Sequence, residues 1–158
     1  MSFDGDTGSA QSPRTLWTTS AVVPPLDHLD DRYFWEGVAR GELVVQRCSF
    51  CGHQRYPPAP QCPECSSSEF VEFVSSGRGT IYAWILSHHP TKKDESPRVV
   101  VMVALDEGVR VVSNLIDCDL DEVANDLAVK VCFIPQEGFT LPQFRLAEAG
   151  DDRRATGA

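Results

Sequence analysis

Four of the six cysteines of this chain lie within the eighteen residues CSFCGHQRYPPAPQCPEC, at positions 48–65. Two residues separate Cys48 from Cys51, two separate Cys62 from Cys65, and ten lie between the pairs. Each C-x-x-C segment can form a tight knuckle that turns both thiolates to one side, and two knuckles complete a tetrahedron around one metal ion. The spacing therefore predicts a four-cysteine metal site. Zinc is the expected ion, and iron is the alternative that spacing alone leaves open.

The predicted ion is structural, because four thiolates leave no coordination position for water or substrate. Zinc binding releases about 10–16 kcal/mol in comparable peptide sites, which is enough to fold a short ribbon that has almost no core of its own. A redox dithiol is the alternative, but a second pair at metal-binding distance and the lack of a βαβ pattern disfavour it. His53 is then only a spare ligand, and Cys118 and Cys132 are most simply buried small apolar residues.

Composition narrows the class of protein further. The chain has 158 residues, of which 42% are apolar, and this suits a globular protein of one or two small domains. No apolar run approaches the roughly 20 residues that cross a bilayer, and the N-terminal residues lack the basic-then-apolar pattern of a secretion signal. We therefore expect a cytoplasmic protein without a membrane partner, in a compartment where disulfides are uncommon.

The chain on either side of the cysteines divides into several predicted segments. Small, polar and aperiodic residues predict disordered tails over 1–20 and 149–158. Apolar residues at near-helical spacing predict a helix over about 28–40. The folded segments are therefore an N-terminal helical segment (21–42), a zinc ribbon (43–69) and a β-barrel (70–148).

Short runs rich in β-branched and aromatic residues predict the strands of the barrel. They are FVEFVSS, TIYAWILSHH, RVVVMVALD, VRVVSNLIDC and VKVCFIP. Both alternating faces of TIYAWIL are apolar, which indicates a strand buried on two sides or curled into a barrel. A helix is predicted over DLDEVANDLA, before the last strand, with Asp119 and Glu122 as a capping pair. The predicted fold class is mainly β, with an N-terminal helix, a zinc ribbon and a small OB-type Greek-key barrel.

Two further groups of residues are candidates for contact with another molecule. Tyr33, Phe34 and Trp35 are adjacent on the predicted helix and cannot all face one core, so we interpret them as packing residues or as a partner-binding surface. His88 and His89 end a predicted strand. They are interpreted as plain surface residues, as a contact surface, or as a general base that has no nucleophile beside it in the sequence.

Several motifs occur in the order found in one protein family. RYFWEGVARGELVVQRCSFCGHQRYPP is followed by CPEC, SSGRGTIYAWILSHHP and VALDEGVRVVSNLID. Over residues 28–146 the chain resembles the thiolase-associated family with an N-terminal helix, a rubredoxin-like zinc ribbon and a C-terminal OB fold, long described as a domain of unknown function. The resemblance implies one zinc ion bound by the four cysteines, with docking elements on the aromatic helix and the barrel surface. The chain departs from the family at Ser66 and at residues 126–128, where members often have glycine.

The resemblance also implies an accessory function. Members of this family are known mainly as partners of thiolase-fold enzymes that handle acyl-CoA, including lipid-transfer-protein-like thiolases and aldolases of steroid side-chain degradation. We accordingly expect a non-catalytic subunit that binds and stabilises such an enzyme. A MaoC-type hydratase and acyl-CoA are further partners that the resemblance implies.

Two other functions stay open. Zinc ribbons and OB folds also bind single-stranded nucleic acid, although a formal net charge of −9, from 14 basic and 23 acidic residues, disfavours that partner. The other hypothesis is an independent enzyme that acts on a CoA ester through His88 or His89. No G-x-S-x-G, Walker or H-E-x-x-H motif supports independent catalysis.

Overall fold

The computed structural model describes residues 31–91 and 96–148. The predicted tails, 1–20 and 149–158, lie outside the described residues, as does the start of the predicted helical segment, 21–30.

Helix α1 spans Arg32–Ala39 and contacts both the ribbon and the barrel. It packs closely against the ribbon at Gly37, where an added Cβ would overlap the side chain of Val44. Gly41, two residues after the last helical residue, terminates the helix. It has a left-handed φ of 78° and donates its N–H to the carbonyl of Val38 at 3.0 Å. Four residues form its buried face: Tyr33, Phe34, Gly37 and Val38.

The ribbon is a three-stranded antiparallel sheet with β1 (Val44–Cys48) in the middle. The two-residue strand β2 (Gln54–Arg55) pairs with one edge of β1, and β3 (Phe70–Val74) pairs with the other. From the sequence, the strand at 70–74 is expected in the barrel, but the structure places it in the ribbon. The alternation of its side chains identifies a strand, but a long-range register, from Cys48↔Phe70 to Val44↔Val74, decides its neighbour.

Five strands close into a barrel in the order β4-β5-β6-β8-β7. Their bounds are β4 Arg78–Ser87, β5 Arg98–Leu105, β6 Arg110–Leu115, β7 Ala128–Gln136 and β8 Phe139–Leu146. All neighbours are antiparallel except β6 and β8, which meet in parallel at Leu115 and Phe144. This connectivity is that of an OB-type Greek-key barrel, so the predicted fold class is confirmed.

The predicted number of barrel strands is right, but one member differs. β8 was not predicted, because Pro142 interrupts its pattern and its side chains do not alternate clearly in polarity. The predicted helix after Cys118 was also wrong, since only a single 3₁₀ turn forms, at Leu120–Glu122. The Asp119–Glu122 capping pair is present, yet Val123 is already extended and Asp126 has a left-handed φ of 65°, so the chain cannot continue as a helix.

The barrel interior is apolar. Alternate residues of β5 point inward, and Val101 and Val103 are fully buried together with Ile81 of β4 and Phe144 of β8. Gly79 allows β4 and β5 to approach each other, because an added Cβ would overlap the backbone oxygen of Ala104. The glycine of SGRGT therefore has a packing role. Among the residues that the structure describes, no helix is both long and apolar enough to cross a membrane.

Candidate metal centre and apolar contact surface

The structure brings the four predicted ligands together at the end of the ribbon. The Sγ atoms of Cys48 and Cys65 are 3.6 Å apart, those of Cys51 and Cys62 are 3.5 Å apart, and all four lie within 4.8 Å of one another. Zn–S bonds of about 2.3 Å in a tetrahedron place the sulfurs about 3.8 Å apart. The four thiols thus fit one zinc ion, and they leave no position on it for another ligand.

The two knuckles repeat the same backbone hydrogen bonds. In the first, Gly52 donates its N–H to the carbonyl of Cys48 at 3.0 Å, and Cys48 donates to the carbonyl of His53 at 2.8 Å. In the second, the N–H of Ser66 donates to the carbonyl of Cys62 at 2.8 Å, and the N–H of Cys62 donates to the carbonyl of Ser67 at 2.8 Å. Each knuckle therefore closes the same turn around its pair of ligands.

Both turns need a left-handed residue directly after the second cysteine. Gly52 has a φ of 75°, and Ser66 has a φ of 60° at the equivalent position. A side chain is strained in this region, so Ser66 carries a strain that glycine at the same position would avoid. Asp126, before β7, also has a left-handed φ, of 65°.

Backbone N–H groups stabilise the thiolate of Cys48. The N–H of Cys51 points at the Cys48 sulfur and lowers the pKa of the Cys48 thiol to about 6, which outweighs the opposing effect of burial. Cys48 and Cys62 are buried, whereas Cys51 is exposed at the surface of the ribbon. His53 contributes its backbone to the first knuckle, and its side chain is not part of the four-residue cluster.

The predicted aromatic contact residues lie mainly inside the molecule. Tyr33 and Phe34 are 8% and 4% exposed, and their rings pack against Phe70 and Tyr56 at centroid distances of 5.7 and 5.6 Å. Trp35 is half-buried and donates its indole N–H to Asp31 at 3.2 Å. These contacts fit the packing interpretation for Tyr33 and Phe34. A docking role for the three aromatic residues stays a prediction.

The two histidines lie where β4 ends, and the structure does not place them near the cysteine cluster. His88 is exposed and His89 is half-buried. The Nδ1 atom of His89 accepts a hydrogen bond from the backbone N–H of Thr91 at 3.3 Å, so the ring is held by its own loop. A contact role for either histidine stays a prediction.

An apolar surface lies on the outside of the barrel, and none of its residues was named from the sequence as a contact residue. Three of its residues expose half or more of their surface: Tyr82 50%, Val112 54% and Ile85 63%. The register aligns its members across β4, β5 and β6, in one row through Met102 and another through Val100. We call this surface the outer strip, and define it as Tyr82, Ala83, Ile85, Val100, Met102 and Val112.

The outer strip ends at a cation. Tyr82 is the extra residue of a bulge in β4, and the guanidinium of Arg110 lies 3.9 Å from the centroid of its ring. The signal for this surface was the apolar character of both faces of TIYAWIL. One face fills the barrel, and the other remains exposed in the isolated chain.

Two family models match the chain in consecutive regions. Residues 35–71 match the rubredoxin-like zinc ribbon domain of ChsH2, and residues 74–133 match its C-terminal OB-fold domain. The two matched regions meet within β3, whose first two residues fall in the ribbon match and whose last residue falls in the OB-fold match.

Curated relatives fall into two groups. The chain is 34% identical over 139 residues to a probable enoyl-CoA hydratase alpha subunit of Thermomonospora curvata, covering 87% of this chain and 42% of the relative. It is 35% identical over 135 residues to the 3-oxo-4,17-pregnadiene-20-carboxyl-CoA hydratase alpha subunit of Mycobacterium tuberculosis, covering 85% and 43%. The chain thus spans about two-fifths of the length of these relatives. It is also 30% identical over 134 residues to a DUF35 domain-containing scaffold protein of Methanocaldococcus jannaschii, covering 83% of this chain and 82% of that one.

A solved structure shares the whole arrangement. The chain superimposes on a subunit of the Ltp2-ChsH2(DUF35) aldolase with a TM-score of 0.70 and 34% sequence identity. The match covers 78% of this chain and 98% of that subunit.

Proposed function

Because the chain belongs to the DUF35 family and has the zinc ribbon and OB-fold domains of ChsH2, we propose that it is a non-catalytic accessory subunit. In this proposal it binds a thiolase-fold enzyme of acyl-CoA metabolism and stabilises it. The name of the matched aldolase, which pairs Ltp2 with a DUF35 protein, supports a partner of this class.

The outer strip is the observation that carries the proposal. Apolar side chains that are contiguous across three strands are typical of a surface that another protein covers; here Tyr82, Ile85 and Val112 are half or more exposed, and the strip residues of β5 are partly exposed. Tyrosine, methionine and arginine are also enriched in the centres of protein interfaces, and the strip presents Tyr82 and Met102 beside Arg110. A partner on this face would bury the second side of β4, which is one of the two alternatives that its sequence left open.

The metal centre supports the same function, because a zinc ion with four thiolate ligands has no free position at which to bind a substrate. Cys48, Cys51, Cys62 and Cys65 would hold one zinc ion and would supply all of its ligands. When bound, the ion supplies folding free energy to the ribbon. The ribbon then serves as a rigid part of the subunit, and reaction chemistry belongs to the partner.

More specifically, the chain is proposed to act in steroid side-chain degradation in the cytoplasm. Its partner there would be a lipid-transfer-protein-like thiolase or aldolase. The names of the aldolase and of the pregnadiene-carboxyl-CoA hydratase subunit support this choice. The hydratase names also support a MaoC-type hydratase as an additional partner, and acyl-CoA as the ligand that the assembly handles.

Co-purification tests the proposal. The chain is co-expressed with the Ltp2 subunit of the matched aldolase and with thiolase-fold proteins encoded beside its own gene, and complexes are measured by size-exclusion chromatography with light scattering. We expect a stable complex, and we expect Ile85→Ser to weaken it at least about tenfold, since truncating a central interface residue has effects of this size. Val71→Ser, at a similarly exposed apolar residue of the ribbon, is the matched control.

The proposal fails on a clear outcome. If the wild-type chain elutes apart from every thiolase-fold protein, and these enzymes are equally soluble and active alone, the chain is not their accessory subunit.

A further inference from the structure

Phe50 is the most exposed of the large apolar side chains that the structure describes, at 82%. It lies at the tip of the first knuckle, between the ligands Cys48 and Cys51. An aromatic ring in this position contributes little to the core of the isolated chain, although its contact with another protein would remove a large apolar area from water. This position is in the ribbon, whereas the outer strip belongs to the barrel.

The turn that carries Phe50 is fixed by its backbone. Ser49 donates its N–H to the carbonyl of Glu69 at 3.1 Å, and Gly52 closes the knuckle through its bond to Cys48. The N–H of Phe50 itself points at the Cys48 sulfur. With the ligands tied to one ion, the ring would project from a rigid turn, so contact with a partner would cost little conformational entropy.

The surroundings of Phe50 are anionic. Four thiolates and one Zn²⁺ together carry a formal charge of about −2. Glu64, at the tip of the second knuckle, and Glu69, beside Ser49, are both exposed. The nearby cation Arg47 is directed along the sheet, with its guanidinium 4.5 Å from the centroid of the Phe73 ring. Such a tip repels phosphate groups and attracts basic side chains.

We propose that Phe50 is an aromatic anchor that inserts into an apolar pocket of the partner protein, and that lysine or arginine side chains surround this pocket. The inference rests on the proposed function and extends it, because it assigns a second contact to the ribbon and states the chemistry of the surface that receives it. The charge of the tip disfavours nucleic acid and the phosphates of CoA as the ligands of this contact.

Affinity measurements on the zinc-loaded full chain test the anchor, with the thiolase-fold subunit that co-purifies as the probe. Phe50→Ala is expected to weaken binding at least about tenfold, as for other central aromatic residues of interfaces, with an unchanged zinc content and melting temperature. Ser49→Ala, on the same turn, is the matched control and should bind like the wild type.

Charge reversal provides a second variant that keeps the ring in place. The double variant Glu64→Lys and Glu69→Lys should bind more weakly at low ionic strength, and its affinity should depend less on salt than that of the wild type. If Phe50→Ala lowers the zinc content, this double variant decides the test.

The outcomes separate the two proposals. If Phe50→Ala and the charge-reversed variant bind like the wild type while Ile85→Ser binds weakly, the anchor is wrong and the accessory function stands. If the wild-type chain binds no thiolase-fold subunit, the accessory function fails and the anchor fails with it.

Discussion

The ribbon and the barrel are both antiparallel β structures, yet they are held together by different forces. The barrel encloses fully buried apolar side chains, among them Ile81, Val101 and Phe144. The ribbon segment 48–65 contains a two-residue strand and two knuckles, and its most buried side chains there are cysteines and Arg55. A metal ion can therefore replace a hydrophobic core where the chain is too short to build one.

The polar interior of the ribbon sharpens this contrast. Gln46 and Arg55 face each other across β1 and β2 and are 1% and 5% exposed. The Nε–H of Arg55 and the backbone N–H of Ala59 both donate to Oε1 of Gln46, and the guanidinium lies 5.5 Å from the centroid of the Phe70 ring. Such a network specifies geometry more than it adds stability, so we expect the metal to supply much of the stability of segment 48–65.

The largest expected effect is the loss of a zinc ligand. Cys62→Ser removes one thiolate from a site whose metal binding is worth about 10–16 kcal/mol in comparable peptides, so we expect the ribbon to unfold and the zinc to be lost. Elemental analysis and limited proteolysis measure both effects. Cys132→Ser is the control: its thiol only donates a weak hydrogen bond to the carbonyl of Gln143, so this variant should keep one zinc per chain. If the Cys62→Ser protein were folded without zinc, the ribbon would not depend on the metal, and the proposed difference between ribbon and barrel would be wrong.

The next largest effect is a cavity in the barrel. Phe144 is fully buried, so Phe144→Ala should destabilise the barrel by about 3–5 kcal/mol. Denaturant unfolding measures the change, and the exposed Val112→Ala should stay within about 0.5 kcal/mol of the wild type. Zinc content should remain one ion per chain. A loss of zinc in Phe144→Ala would mean that the ribbon depends on the barrel core.

A smaller effect concerns the link between the two regions. Glu107, in the turn between β5 and β6, accepts hydrogen bonds from the Ser75 hydroxyl at 2.8 Å and from the Ser76 N–H at 2.6 Å, just after β3. Burial alone would raise the pKa of Glu107, but the hydrogen bonds from Ser76 and Ser75 outweigh it and lower the pKa. The carboxylate therefore stabilises the fold at neutral pH.

The sign of the pH dependence follows from this lowered pKa. The contribution is present above the unfolded pKa of about 4.3 and is lost as pH falls through the folded value. Glu107→Gln should be less stable than the wild type by about 1 kcal/mol at pH 7, after allowance for solvent screening, and the difference should vanish in acid. Urea unfolding of both proteins across this range measures it. A difference that is constant with pH would show that the charge is not involved.

The smallest effect concerns the strained turn residues. Ser66→Gly removes the strain of a side chain at a left-handed φ in the second knuckle. This change should stabilise the zinc-bound ribbon by about 0.5 kcal/mol. Asp126→Gly makes the same change in the barrel. Competition with a chelator should show tighter zinc binding for Ser66→Gly alone, and thermal unfolding should show the gain of Asp126→Gly. Equal zinc affinities in both variants and the wild type would contradict this assignment of the strain.

The contrast also explains what could be predicted from sequence. The metal centre could be predicted, because each C-x-x-C pair forms its knuckle locally and a single ion can then join the two. The neighbour of β3 and the existence of β8 could not, because strand pairing depends on residues far apart, and Pro142 obscures the pattern. The outer strip was visible as the second apolar face of TIYAWIL, but the barrel geometry was needed to show that this face is exposed.

Hydrogen exchange with and without a chelator tests most directly whether zinc folds the ribbon while the barrel rests on its own core. On zinc removal, the amides that close the knuckles should lose their protection; these belong to Cys48, Gly52, Cys62 and Ser66. The amides of β5 and β6 should keep theirs. Loss of protection in both regions together, or knuckles that stay protected without the metal, would contradict this division.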